Sequence, residues 1–199
     1  MIHLDKPDYL QTGTKRQKQA FIVLQELDLF KQLSSYDPIL TGTIPLGIEI
    51  ATSDLDIVCQ VDDSDLDQFT QQVVKAYGGC ADFQLEFVDE LRGGRAIVLS
   101  FSYQEWPIEI FGQSIPVRQQ NAYRHMIVEE RLLHLAKDSA RADIRLLKEQ
   151  GYKTEPAFVH YFQLGGDDPY ERVLELYDCT DSQLLKLIHP SKRTEGSSN

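Results

Sequence analysis

Gly42-Thr43-Ile44-Pro45-Leu46-Gly47, followed after a short interval by Ser53-Asp54-Leu55-Asp56-Ile57-Val58, is the stretch of this 199-residue chain whose reading decides the fold. Its first half is a glycine turn with a hydroxyl, able to hold a phosphate through backbone amides. Its second half is an apolar strand led by two alternating acids. Side chains at i and i+2 of a strand point to one face, so Asp54 and Asp56 stand side by side. Two like charges so placed need a cation or a proton between them. A hard divalent cation, commonly held by one or two carboxylates plus substrate phosphates, meets that need.

Working outward, Ile39-Leu40-Thr41 is a short strand entering the glycine turn, and residues 55–61 form a second strand rich in β-branched side chains. Upstream, Ala20, Phe21, Leu24, Leu27, Phe30 and Leu33 recur at helical spacing and predict one amphipathic helix over 15–33, broken before Pro38. Downstream, residues 64–77 read as a helix capped by Ser64 and ended by Gly78-Gly79. Strand-like runs follow at 82–89, 95–103 and 106–111, the first two joined by the hairpin signal Arg92-Gly93-Gly94-Arg95. After Pro116 the pattern turns helical, with candidates at 121–137, 139–150, 155–164, 170–177 and 181–188. The expected class is α/β, more narrowly α+β: a mixed sheet flanked by helices, then a helical C-terminal subdomain. The expected domains are a core of 1–115, a helical part of 116–189 and a mobile polar tail of 190–199.

A metal held for phosphoryl or nucleotidyl transfer usually takes a third carboxylate from a neighbouring strand. Glu109, the single acid inside the apolar run Pro107-Ile108-Glu109-Ile110-Phe111, is the leading candidate. Glu86 competes, but Gln84 and Glu86 alternate with apolar residues as a solvated sheet face does.

These elements together resemble the nucleotidyltransferase superfamily, the polymerase-beta-like fold. Its motif is a strand ending in Gly-Ser, a short helix, an Asp-x-Asp strand and a later acid on an adjacent strand. Gly42-Thr43 takes the Gly-Ser place, Asp54 and Asp56 the metal-binding pair, and Glu109 the third acid; Gly47 and Ser53 also fit. The phrase from Asp37 to Cys59, with Thr154–Phe158 and Gly166–Tyr170, is similar to an uncharacterised bacterial domain family of this fold.

The resemblance implies that Asp54, Asp56 and Glu109 hold Mg²⁺ or Mn²⁺, while Gly42, Thr43, Ser53 and Arg118 contact the nucleotide. It implies an enzyme, a nucleotidyltransferase that moves a nucleoside monophosphate from a nucleoside triphosphate to a small-molecule or protein acceptor. The alternatives are a catalytically silent nucleotide-binding module and an antitoxin-type protein-interaction domain.

Ile44, Pro45 and Leu46 bring no positive charge to the turn, so Arg92, Arg95, Arg118 and Arg124 are the candidate phosphate cations. Arg118, just before the 121–137 helix, is placed to reach a cleft between the two halves. His125 is a candidate general base, though a structural helix histidine explains it better. Asp62-Asp63-Ser64-Asp65 lacks the glycine and terminal glutamate of a calcium loop. Cys59, Cys80 and Cys179 show no paired metal or disulfide spacing. A net charge of -11 argues against nucleic acid as a partner, since such binding draws on Lys and Arg. No apolar run suits a membrane span and no signal pattern opens the chain, so the expected compartment is the cytoplasm.

Overall fold

The computed structural model describes residues 6–91, 94–136 and 138–189; Arg92, Gly93 and the expected mobile tail lie outside them. After a 3-10 turn at Pro7–Thr12, the elements run α1 (Lys15–Glu26), α2 (Leu29–Gln32), β1 (Ile39–Thr41), α3 (Thr43–Leu46), β2 (Leu55–Gln60) and α4 (Leu66–Tyr77). Then come β3 (Ala81–Leu91), β4 (Gly94–Tyr103), β5 (Trp106–Gln113), α5 (Asn121–Leu135), α6 (Ala140–Glu149), α7 (Thr154–Phe162), α8 (Pro169–Glu175) and α9 (Asp181–Ile188). The chain divides into two compact units, Met1–Met126 and Ile127–Asn199.

In the first unit the strands form one mixed sheet of order β1-β2-β5-β4-β3. Among the described residues only β2 and β5 pair in parallel; the other pairs are antiparallel. This is the α+β architecture expected from the order of elements. One face of the sheet presents Leu40, Ile57, Ile110, Leu99 and Leu85 in register to α1 and α4. Tyr36 meets Phe69 edge-on at 4.8 Å, and Tyr77 stacks on Phe101 at 5.0 Å. Such aromatic pairs add about 0.5–1.5 kcal/mol beyond their burial. Cys59 is buried in this core, and burial pushes its thiol up.

Two local expectations need correction. The helix read over 15–33 is two helices, because Asp28 takes a left-handed conformation at φ 48. Aspartate tolerates that region better than most residues, and apolar periodicity carries straight across a single such break. Ser64 does not cap α4. The helix starts at Leu66 after a turn closed by Asp65 N donating to the Asp62 carbonyl at 2.8 Å, and Asp65 is itself already helical.

The second unit is helical. Asp168 caps α8, its Oδ1 accepting from the amides of Tyr170 at 2.8 Å and Glu171 at 3.4 Å, with Pro169 in the first turn. Arg131 ties α5 to the start of α9 and the segment before it, donating to Asp181 Oδ1 at 2.8 Å and to the Tyr177 carbonyl at 3.1 Å. Among the described residues no helix is long and apolar enough to cross a membrane.

Glu129 of α5 is buried, and its Oε1 has no hydrogen-bond partner among the described residues. Burial first, then the charge of Glu155, push its carboxyl well above the usual range against the opposing pull of Lys148. A raised folded-state value means that the folded chain binds this proton more tightly than the unfolded one. The associated stability is complete below about pH 4.3, the ordinary glutamate value, and is lost as pH rises through the raised value. Glu129→Gln, neutral throughout, is expected to match wild type in acid and to melt progressively higher than wild type as pH rises. Thermal melting across pH checks this; a melting difference that stays flat would refute it.

Candidate functional site

Strand registration gathers one residue from each strand into a single polar row on the face opposite α1 and α4. Thr41 of β1 pairs with Asp56 of β2, Asp56 with Glu109 of β5, Glu109 with Ser100 of β4, and Ser100 with Gln84 of β3. Registered neighbours share a face, with strands about 4.8 Å apart. Asp56 and Glu109 are therefore lateral neighbours at the middle of the sheet. Asp54 stands just before β2, two residues from Asp56 and exposed. Its negative charge reaches Glu109, whose carboxyl is pushed above the usual range by burial first and by Asp54 second. Glu86 of β3 pairs with Val98 of β4, which pairs with Phe111, so it lies two strands and two residues from Glu109, roughly 12 Å away. It does not join the acids.

Gly42 lies between β1 and α3 at φ 76 and ψ -149, a region essentially reserved for glycine. A Cβ here would fall 2.3 Å from Oδ2 of Asp56. Bare backbone thus meets the carboxylate directly. Thr43 opens α3, and its Oγ1 donates to Ser53 Oγ at 3.2 Å. Ser53, buried, also accepts from the Ile50 amide at 3.0 Å. The hydroxyl pair ties the glycine turn to the loop that delivers Asp54.

The arginines separate by position. Arg118 sits in a 3-10 turn, 3.9 Å from Asp37 and 5.9 Å from the ring centre of Tyr123. An ion pair this exposed contributes about 0–1 kcal/mol, so it does not hold Arg118 away from an anion. Arg95 pairs with Asp89 at 3.3 Å beside Phe87, and the adjacent Ala96 pairs with Gln113 at the far end of β5 from Glu109. Arg124 and His125 lie on α5. Arg92 falls outside the described residues.

Sequence reasoning overlooked Arg16, whose guanidinium lies 3.6 Å from the centre of the Trp106 ring and donates to the Ala51 carbonyl at 3.4 Å. Nothing local signals a contact between residues so far apart in the chain. It also overlooked Gln17, though Thr14-x-x-Gln17 ahead of an apolar run is a legible capping box.

Chemically, three carboxylates with oxygen-only donors suit a hard divalent cation such as Mg²⁺ or Mn²⁺, with waters and phosphates completing its shell. Among the described residues no three acidic, histidine or cysteine side chains are drawn together closely enough to enclose a metal by themselves.

A mixed sheet in which a glycine turn feeds an acid-bearing central strand, flanked by helices, is a nucleotidyltransferase-like fold. More narrowly, the chain belongs to the family described as Domain of unknown function (DUF4269), which matches residues 22–176. Among curated proteins, none matches the sequence. Among solved structures, Cid1 in a study of its RNA terminal uridylyl transferase activity is similar at TM-score 0.52 and 16% identity, over 85% of this chain and 53% of that one. The Cid1 poly(U) polymerase with MgGTP bound gives 0.51 and 16%, over 88% and 55%. The GLD-2/RNP-8 complex gives 0.51 and 13%, over 96% and 83%. The chain thus spans about half the length of the Cid1 chains it matches. At these identities the likeness shows the fold.

These neighbours overturn one expectation drawn from charge, the exclusion of nucleic acid, because chains of this fold include an RNA terminal uridylyl transferase. The physical reason is that -11 is a sum over the whole chain. Holding one end of a strand beside a metal requires a local field, which a net charge does not report.

Proposed function

We propose that this protein is a metal-dependent nucleotidyltransferase that moves a nucleoside monophosphate from a nucleoside triphosphate onto a terminal hydroxyl of a nucleic-acid strand. The observation that carries the proposal is the lateral pairing of Asp56 with Glu109, with Asp54 two residues upstream and the bare backbone of Gly42 against Asp56. Asp54, Asp56 and Glu109 would hold Mg²⁺ or Mn²⁺. When bound, the cation would neutralise the triphosphate and the charge developing at the transferred phosphorus. The chain's own part is placement. Amides at the start of the Gly42–Gly47 turn face the outer phosphates, and the Thr43 hydroxyl, by rotating away from Ser53, offers them its proton. Arg118, half-exposed, is the cation assigned to the phosphates. Alignment of the two reactants within this frame supplies most of the acceleration.

The strand acceptor is supported by the RNA activity of the Cid1 neighbour. No observation supports a small-molecule or protein acceptor, and none favours a silent module or a partner-gripping domain. The test is a screen of the four nucleoside triphosphates with Mg²⁺ or Mn²⁺ and a short RNA, reading thermal shift, pyrophosphate release and strand extension. Extension of the strand supports the proposal; a stabilising shift with no pyrophosphate would defeat it.

The raised carboxyl of Glu109 adds a pH signature. A cation competes with its proton, so metal-dependent triphosphate binding is expected to strengthen as pH rises through the raised value. Asp54→Asn removes the second cause of the shift and should move that rise to lower pH. Binding titrations across pH for the two proteins decide it; superimposable profiles would rule out the coupling between Asp54 and Glu109.

A further inference from the structure

We infer that Gln17 is a positioning residue for the candidate phosphate turn, and that residue 13 is glycine so that Gln17 can reach it. The inference rests on the nucleotidyltransferase reading of Gly42 and Thr43 and concerns what keeps them in place. α3 is a single turn of four residues, Thr43–Leu46, too short to have helical stability of its own. Its orientation is set by whatever holds its two ends. The front is held by the Thr43–Ser53 hydroxyl pair. At the back, the last carbonyls of any helix lack intrahelical partners. Ile44, Pro45 and Leu46 are buried, so water is a poor substitute there.

Gln17 fills that need from α1. Its Nε2 donates to the Ile44 carbonyl at 2.8 Å and to the Pro45 carbonyl at 3.4 Å, while its Oε1 accepts from the Thr14 amide at 2.8 Å. The side chain is buried, and three bonds fix its amide plane. A second tie runs alongside it: Thr14 Oγ1 donates to Glu49 Oε1 at 3.1 Å, joining the start of α1 to the loop beyond the turn. The Ile44 carbonyl also accepts from the Gly47 amide at 3.2 Å, so removing the Gln17 amide takes away its shorter bond and the contact to the Pro45 carbonyl, and the turn shifts or loosens.

Gly13 supplies the independent observation. Its backbone, at φ -81 and ψ -156, is one that any residue adopts, so its conformation does not require glycine. Yet a Cβ at this position would lie 1.9 Å from Oε1 of Gln17 and 2.8 Å from its Cδ. The tip of a free glutamine would step aside, but this one cannot without giving up its bonds to Thr14, Ile44 and Pro45. Gly13 is thus a clearance for the amide that holds the turn.

The test uses wild type, Gly13→Ala, Gln17→Ala and the double variant, with two readouts. The first is KM and kcat for the triphosphate with Mg²⁺. The second is amide hydrogen exchange over 43–48, which needs no turnover. Each single variant should raise KM about tenfold, the lower range for supports of ligand groups, with kcat changed less than about twofold. Exchange over 43–48 should quicken in both. In the Gln17→Ala background Gly13→Ala should add far less than it does in wild type, because the Oε1 and Cδ it would strike are gone and only the Cβ of residue 17, at 3.1 Å, remains. A Gly13→Ala protein with wild-type KM and exchange, or penalties that add in the double, would overturn the inference. If wild type turned over no triphosphate, the functional reading would fail, taking the KM claim with it; exchange would still decide whether Gln17 holds the turn.

Discussion

Asp56→Asn is expected to lower nucleotidyl transfer by about 10³-fold or more, a loss of roughly 4 kcal/mol of transition-state stabilisation, while leaving the fold intact or firmer. Asp56 is half-buried at the centre of the polar row, with Glu109 beside it in register and Asp54 two residues away. In the protein alone Glu109 is pushed up by burial first and by the charge of Asp54 second, and Asp56, its neighbour in register, adds a like charge beside it. Removing one charge relieves that repulsion, so the melting temperature should hold or rise. Such opposite movement of stability and activity marks a site strained for function rather than a structural residue. The double change Asp54→Asn with Asp56→Asn should also abolish the Mg²⁺-dependent part of triphosphate binding. The checks are steady-state transfer, thermal melting and triphosphate titration with and without metal. A variant that kept wild-type transfer, or that lost transfer only by unfolding, would remove Asp56 from the proposed role.

How much of this was legible in sequence differs from residue to residue. The Gly42 turn and the alternating aspartates could be read because their chemistry is local: a turn, a period of two, and an unfavourable pair of like charges. Glu109 stood out because an acid inside Ile108-Glu109-Ile110 has no ordinary reason to be there. Sequence could not show that β5 would insert between β2 and β4 and set Glu109 level with Asp56. The parallel pairing of β2 with β5 is long-range and leaves no mark on either strand. The break at Asp28 was hidden because Leu27, Phe30 and Leu33 keep the helical rhythm across it. Gly13 was invisible for a different reason: its need for glycine lies in the Gln17 side chain rather than in its own backbone. Charge misled most, since a whole-chain sum was used to judge what one site can hold.

Gly13 and Gly42, each set against a side chain of the site or its support, should therefore fail differently when changed to alanine. Gly42→Ala carries two penalties where Gly13→Ala carries one. The first is backbone strain: φ 76 with ψ -149 is a region that non-glycine residues occupy at a cost of about 1–3 kcal/mol. The second is the new Cβ at 2.3 Å from Oδ2 of Asp56, which must drive the carboxylate from its place next to Glu109. Strain lowers the melting temperature, by roughly 2–4 °C per kcal/mol for a chain of this size. Displacement of the carboxylate by about 1 Å lowers transfer by about 10²-fold. The two parts separate in the background of Asp56→Ala, which removes the oxygen that the methyl would strike. There Gly42→Ala should destabilise by less than it does in wild type, and the remainder is the backbone strain. Melting of the four proteins, with transfer measured for wild type and Gly42→Ala, supplies the comparison. If Gly42→Ala melted and turned over like wild type, the close approach of the turn to Asp56 would have no part in the site; if its stability loss were the same in both backgrounds, the contact with Oδ2 would have no part in that loss.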